Sequence, residues 1–221
     1  MSTRPSPPPA QRVRVRRHPE RGSHDRALID SILDEALICH LAVVHDGGPR
    51  VIPTIHVRAG DTLYVHGSTA SRTLRSALDG VEACVAVTII DGLVLARSAF
   101  NHSMNYRSVI VYGRMREVTD PEEKWRAQRA LVDHVVPGRA DDVRDPNQQE
   151  LRQTRILALE LTEASAKVRT GPPIDDDDDL ELPIWAGELP LRTVAGEPLA
   201  DPGLVDGPAV PANVRDYRRP G

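Results

Sequence analysis

Two stretches of this sequence carry most of the chemistry it could do. In "YVHGSTASRTLRSALDG" a β-rich run ends at Tyr64-Val65-His66-Gly67, hydroxyls follow at Ser68, Thr69 and Ser71, and Arg72 opens a helical pattern. A helix N-terminus offers unpaired N–H groups and partial positive charge, a glycine lets backbone approach closely, and a guanidinium forks onto a dianion. These are the parts of a phosphate-monoester site. The same residues also read as an ordinary helix start, with Ser71 as N-cap and Arg72 and Arg75 as exposed helix charges.

The second stretch, "NHSMNYRSVIVYGRMREV", sets a polar knot from His102 to Ser108 against a run that alternates like a β-strand. Such a knot either faces a polar ligand or simply caps the strand. His66 and His102 have no carboxylate close by in sequence to tune them as bases, so each also reads as a structural histidine. Ser103 lacks the GxSxG elbow of a hydrolase, and Met104 reads as packing. No catalytic residue is assigned on this basis. Nor is a metal site: "DDDDD" (Asp175 to Asp179) lacks the alternating ligands and turn glycine of a calcium loop and reads as a solvated acidic spacer. Cys39 and Cys84 sit in apolar runs without CxxC spacing, as small core residues of a reducing compartment.

These residues need a frame. A chain of 221 residues with 40% hydrophobic content can bury one good core. Only 3% of residues are aromatic, so that core must come from Val, Leu, Ile and Ala. The net charge of -4 gives no reason to expect nucleic acid as a partner. No apolar run approaches the roughly 20 residues of a membrane helix, and the N-terminus lacks a signal-peptide core, so the expected location is cytoplasmic.

Along the chain, residues 1–22 combine prolines with six arginines and read as a disordered basic arm. Leu28, Ile29, Ile32, Leu33 and Ala36 have helical spacing behind an N-cap at Ser23. Three β-rich runs follow, broken at Asp46-Gly47-Gly48 and at Ala59-Gly60-Asp61, as an antiparallel meander. A short helix closes at Gly80 in C-cap fashion. Asp91-Gly92 between two apolar runs predicts a hairpin turn, Asp120-Pro121 starts a helix, and "ILALELTEASAKVRT" reads as the closing strand. Six to seven antiparallel strands with peripheral helices make a mainly β, α+β domain that must close as a barrel or stack as a sandwich.

The order of these parts, with "HGSTASR", "GLVLARSAFNHSMNYRSV" and "NYRSVIVYGRMREVTDPEEK", resembles the pyridoxamine 5'-phosphate oxidase-related flavoproteins of the FMN-binding split-barrel fold. Within them it is most similar to the branch that includes nitroimidazole-resistance proteins. The resemblance covers about residues 23–170, and "IWAGELPLR" in the tail shares it. It implies a split β-barrel, a homodimer, and FMN in a groove shared between protomers. It further implies that Ser71 and Arg72, with His66, Gly67 and Ser68 beside them, hold the phosphate. Pro53 and Thr54 would run along the ring, and Arg107 and Ser108 would approach from the next strand. The acidic C-terminal part lacks the basic and imidazole set that holds pyridoxal phosphate, so vitamin B6 oxidation is not expected.

The resulting expectation is an FMN-dependent oxidoreductase on a small planar electron acceptor, nitroaromatic- or quinone-like. The alternative is a non-enzymatic flavin or haem binder with His66 or His102 as axial ligand. Residues 171–221 form a Pro/Gly-rich acidic tail. In it, a segment near 183–192, anchored by a buried Trp185, is expected to dock on the barrel.

Overall fold

The computed structural model describes residues 11–77, 81–204, 207 and 209–219. The amphipathic run near the start forms α1 (Arg26–Glu35), which buries Ile29, Ile32 and Leu33. Its cap is Asp25, whose carboxylate accepts from the amides of Ala27 and Leu28; Ser23, expected as the cap, instead supports the Asp25 amide from a two-residue strand, β1 (Gly22–Ser23). The expected C-cap Gly80 lies outside the described residues.

The meander is β2 (Ile38–His45), β3 (Gly48–Ala59) and β4 (Thr62–Ser68). Asp46 (φ 52°) and Gly47 (φ 74°) both take the left-handed region, the signature of the tight turn whose twist matches a hairpin. After the short helix α2 (Arg72–Ser76) come two long strands, β5 (Glu82–Leu95) and β6 (Ser103–Arg114). They lead to β7 (Arg116–Glu117) and α3 (Pro121–Val135), which Asp120 caps by accepting from the Glu123 amide. The rest is α4 (Gln148–Gln153), β8 (Thr154–Glu160), β9 (Glu163–Arg169), β10 (Gly187–Pro190) and α5 (Ala212–Arg215).

All ladders are antiparallel, in the order β1-β9-β6-β5-β2-β3-β4-β8-β7, with β10 added on β5. Among the described residues no ladder joins β8 to β9, so the barrel is split there. Seven of the strands have seven residues or more. Leu41, Val65, Val85, Val111 and Leu159, from five different strands, share its interior with α1 and with Leu74 of α2. At about 1.5–3 kcal/mol for each fully buried large aliphatic, that interior is the main stabilising element. A second cluster, built on Tyr64, Leu131 and Ile156, seats α3 on the outside of β3, β4 and β8.

Several elements differ from the sequence reading. Asp91-Gly92 does not turn the chain. It is a bulge inside the unbroken β5, where the pairing steps from Ile90↔Tyr106 to Gly92↔Asn105 and leaves Asp91 as the extra residue. The single closing strand is two, because the chain turns at Leu161-Thr162, with β8 joining β4 and β9 joining β6. Residues 11–22, read as part of an unordered arm, are held to the sheet: Val13 is buried, and Arg12 pairs with Glu82 and Glu163 while lying over the Tyr112 ring. Asp175 is not a solvated spacer residue. Its side chain is 1% exposed, bound to the Arg97 guanidinium and amide. No helix among the described residues is long and apolar enough to cross a membrane.

Candidate functional site

One large groove, about 1130 Å³, opens where the C-terminal end of α1, the start of β2, the β5 bulge, Arg107 of β6 and two parts of the tail converge. Its floor is apolar, from Ala36, Ile38, Ile90 and Leu191. Its polar centre is Arg107. The guanidinium donates to both oxygens of Asp91, at 3.0 and 2.7 Å, and to both oxygens of Glu35, one of them at 2.7 Å. Asp91 and Glu35 raise the Arg107 pKa further, so the cation is permanent and its charge is met on two sides. The bulge makes this possible, since the residue that the ladder skips is the one that turns its carboxylate to Arg107.

The tail forms a wall of the groove. β10 pairs with β5 from Gly187↔Leu95 to Pro190↔Gly92, and the Leu191 amide donates to Asp91 O at 2.9 Å. Gly92 eases that close approach, since a Cβ would meet Leu189 O at 3.1 Å. Glu188 accepts from Asn105 Nδ2 at 2.6 Å, and Asn105 in turn accepts from the buried Arg169, which also donates to the carbonyls of Gly171 and Pro172. Trp185, expected to anchor this segment, is 69% exposed. The strand pairing and the Glu188–Asn105 bond hold the segment instead.

At the other end lies Arg219. It donates to Glu35 O at 2.5 Å, to Asp34 O at 2.9 Å and to His134 O, so one guanidinium serves the terminal carbonyls of both α1 and α3. Behind it, His56 is fully buried. Its Nε2 donates to Leu33 O at 3.0 Å, while Nδ1 is enclosed without a partner, and the His134 ring lies 5.1 Å away. Burial, reinforced by His134, pushes the His56 pKa down to about 4, so the ring is neutral at pH 7.

Of the cofactor-binding residues expected from sequence, Arg107 alone lines this groove among the described residues; Pro190, Leu191 and Arg192, from the tail segment near 183–192, line it too. Ser108 donates to Lys167 O at 3.2 Å. Pro53 stands opposite His40 and Thr54 opposite Cys39 on the β2–β3 ladder. His66, Gly67 and Ser68 end β4, with β5, β2 and β3 between them and Arg107 along the sheet. Burial lowers the His66 pKa, and its Nδ1 is enclosed without a partner. Ser68 Oγ accepts from Ala70 N and Ser71 Oγ from Leu74 N, so both hydroxyls serve the local turn. Gly67 has a packing reason: a Cβ would lie 2.6 Å from Leu74 Cδ1. Arg72 is exposed; its carbonyl accepts from Ser76 Oγ at 2.8 Å, while its guanidinium has no hydrogen bond or ion pair among the described residues. Sequence reading missed Glu35, Asp91, Arg192 and Arg219. Asp91 was visible but read as a turn, and Arg192 stood at the end of the expected docking segment without a role of its own. Among the described residues no three His, Cys, Asp or Glu side chains cluster as a metal site.

Residues 25–168 match the pyridoxamine 5'-phosphate oxidase family. The chain belongs to that family. As a member of it, the chain is similar to the flavocytochrome Anf3 from Azotobacter vinelandii, at 36% identity over 95% of this chain and 98% of that one, with a TM-score of 0.89. It is also similar to an FAD and haem binding protein from Mycobacterium smegmatis, at 38% identity over 89% of this chain and 96% of that one, with a TM-score of 0.85. A candidate 5-nitroimidazole antibiotic resistance protein from Bacteroides thetaiotaomicron shares the fold, at 22% identity, 66% and 86% coverage and a TM-score of 0.57. No curated protein matches by sequence.

Proposed function

We propose that this member of the pyridoxamine 5'-phosphate oxidase family is a flavin-dependent oxidoreductase that holds FMN or FAD and passes electrons to a small planar acceptor, nitroaromatic- or quinone-like. What carries the reading is the likeness, at 36% and 38% identity over nearly the whole chain, to a flavocytochrome and to an FAD and haem binding protein. The groove fits such a cofactor. At about 1130 Å³ it is slightly larger than the usual small-molecule site, with an apolar floor and a few convergent polar groups. Bound flavin would supply the electron transfer that no side chain of the groove offers. The chain's own part is positional: Ile38, Ile90 and Leu191 desolvate a flat ring, and the Glu35–Arg107–Asp91 fork fixes the strand edge beside it.

We further infer a homodimer in the cytoplasm. Ile38 and Val44 of β2, Val51 of β3 and Ile110 of β6 project from one face of the sheet and are exposed, a surface suited to a second copy. The flavin site would then draw on both protomers.

A haem beside the flavin is a second reading, favoured by His102. A carbonyl only accepts, so the contact of His102 Nδ1 with Ser98 O at 2.8 Å fixes the proton on Nδ1 and leaves Nε2 as a free lone pair. His102 is exposed beside Phe100 and Met104, both also exposed. Absorbance of the purified protein tests both readings. A flavin spectrum, with FMN or FAD identified by chromatography after denaturation, is the expected result. A Soret band that His102→Ala removes establishes the haem. A colourless protein that takes up neither added FMN nor FAD refutes the proposal, and NAD(P)H-driven turnover of a quinone or nitroaromatic separates enzyme from binder.

A further inference from the structure

We propose that Arg192, in the tail, is the residue that receives the anionic end of the planar cofactor in the groove, and therefore that the tail is part of the binding site. This rests on the redox-cofactor reading above. Three arginines line the groove, and two are committed: Arg107 to Glu35 and Asp91, Arg219 to three backbone carbonyls. Arg192 has no hydrogen bond or ion pair among the described residues, so its five N–H donors are open to a ligand.

The charge balance points the same way. The groove's two carboxylates, Glu35 and Asp91, both sit on Arg107, and with Arg192 and Arg219 three arginines face two carboxylates, so the lining is net positive beside an apolar floor. A flat apolar ring with an anionic tail is complementary to that arrangement, and the guanidinium fork suits a phosphate or a carboxylate. The position of Arg192 is fixed by its neighbours. Pro190 pairs with Gly92, the Leu191 amide is bound to Asp91 O, and Thr193 adds a hydroxyl to the same wall. Arg72 is the rival anchor, but it lies outside the groove, on a helix of five residues.

A flavin phosphate and a haem propionate share this chemistry, so the test runs both pairs. The full-length apoprotein is titrated with FMN and FAD against riboflavin, and with haem against its dimethyl ester, for wild type, Arg192→Ala, Arg192→Lys and Arg72→Ala. Arg192→Ala should weaken the anionic member of one pair about 10- to 100-fold and leave its neutral counterpart within about twofold. Arg192→Lys should recover part of the loss. Which pair responds identifies the tail as phosphate or propionate. If Arg192→Ala binds every ligand as wild type does, or loses anionic and neutral forms equally, the assignment is wrong. Selective loss in Arg72→Ala alone moves the anchor to α2. If the wild type binds no member of either pair, the cofactor reading itself falls, a different failure from an unaltered Arg192→Ala.

Discussion

Replacing His56 with Gln should remove a large part of the protein's sensitivity to acid. The ring is fully buried, donates from Nε2 to Leu33 O, and faces His134, Arg219 and the Asp34 region; the Leu33 bond and the Asp34 carboxylate favour its protonated form, but burial outweighs them. Its pKa falls from an ordinary 6.5 to about 4 in the folded protein, so protons bind more tightly to the unfolded chain. Stability is therefore complete above pH 6.5, declines as the pH drops towards 4, and levels off below. At about 1.4 kcal/mol per pKa unit the full loss is about 3 kcal/mol. Gln keeps a donor for Leu33 O and cannot titrate. Urea unfolding of both proteins at several pH values between 7 and 4 gives the difference in stability between them. Because burial also lowers the pKa of His134 and His66, each protein will weaken in acid, and the wild-type-minus-variant difference isolates His56. A difference that stays flat across this window would refute the buried-neutral account.

Arg107→Ala leaves Glu35 and Asp91 facing each other without their shared cation and should cost about 2–4 kcal/mol in urea unfolding, with Asp91→Asn in the same chain restoring part of it. Gly92→Val pushes a side chain at Leu189 O and should free β10, read as faster proteolysis in residues 172–192 with the barrel intact. Val51→Glu, on the exposed sheet face where Val51 is 60% exposed, should shift sedimentation from dimer to monomer while changing the unfolding midpoint little.

The sheet was legible because its signals are local. Alternation along β2 and β5 follows directly from which side of a strand faces the interior, and Asp120-Pro121 caps α3 through contacts within one turn. Asp46-Gly47 and Asp91-Gly92 look alike in sequence, yet one turns and the other bulges. The second is decided by partners far along the chain, Arg107 on β6 and Leu189 on β10, which no window around Asp91 contains. The groove was less legible for the same reason. Its parts come from residues 35–38, 88–91, 107, 190–193 and 219, and only Arg107 and the tail segment ending at 192 stood in stretches whose composition drew notice. Gly67 was noticed for the wrong cause, since backbone access to a ligand and room for a neighbouring Leu leave the same letter in the sequence.

The Arg219 clamp also orders events in time. It joins residues 184 and 185 positions apart, and β10 and Arg219 both lie downstream of every other strand in the sheet they serve. During synthesis the strands from Gly22 to Arg169 emerge first and can assemble around α1, while the terminal carbonyls of α1 and α3 still face water. Only when the tail follows does one side chain draw those two helix ends together and raise the second wall of the groove. The groove is thus completed last, by a part of the chain that leaves the ribosome after every strand of the barrel.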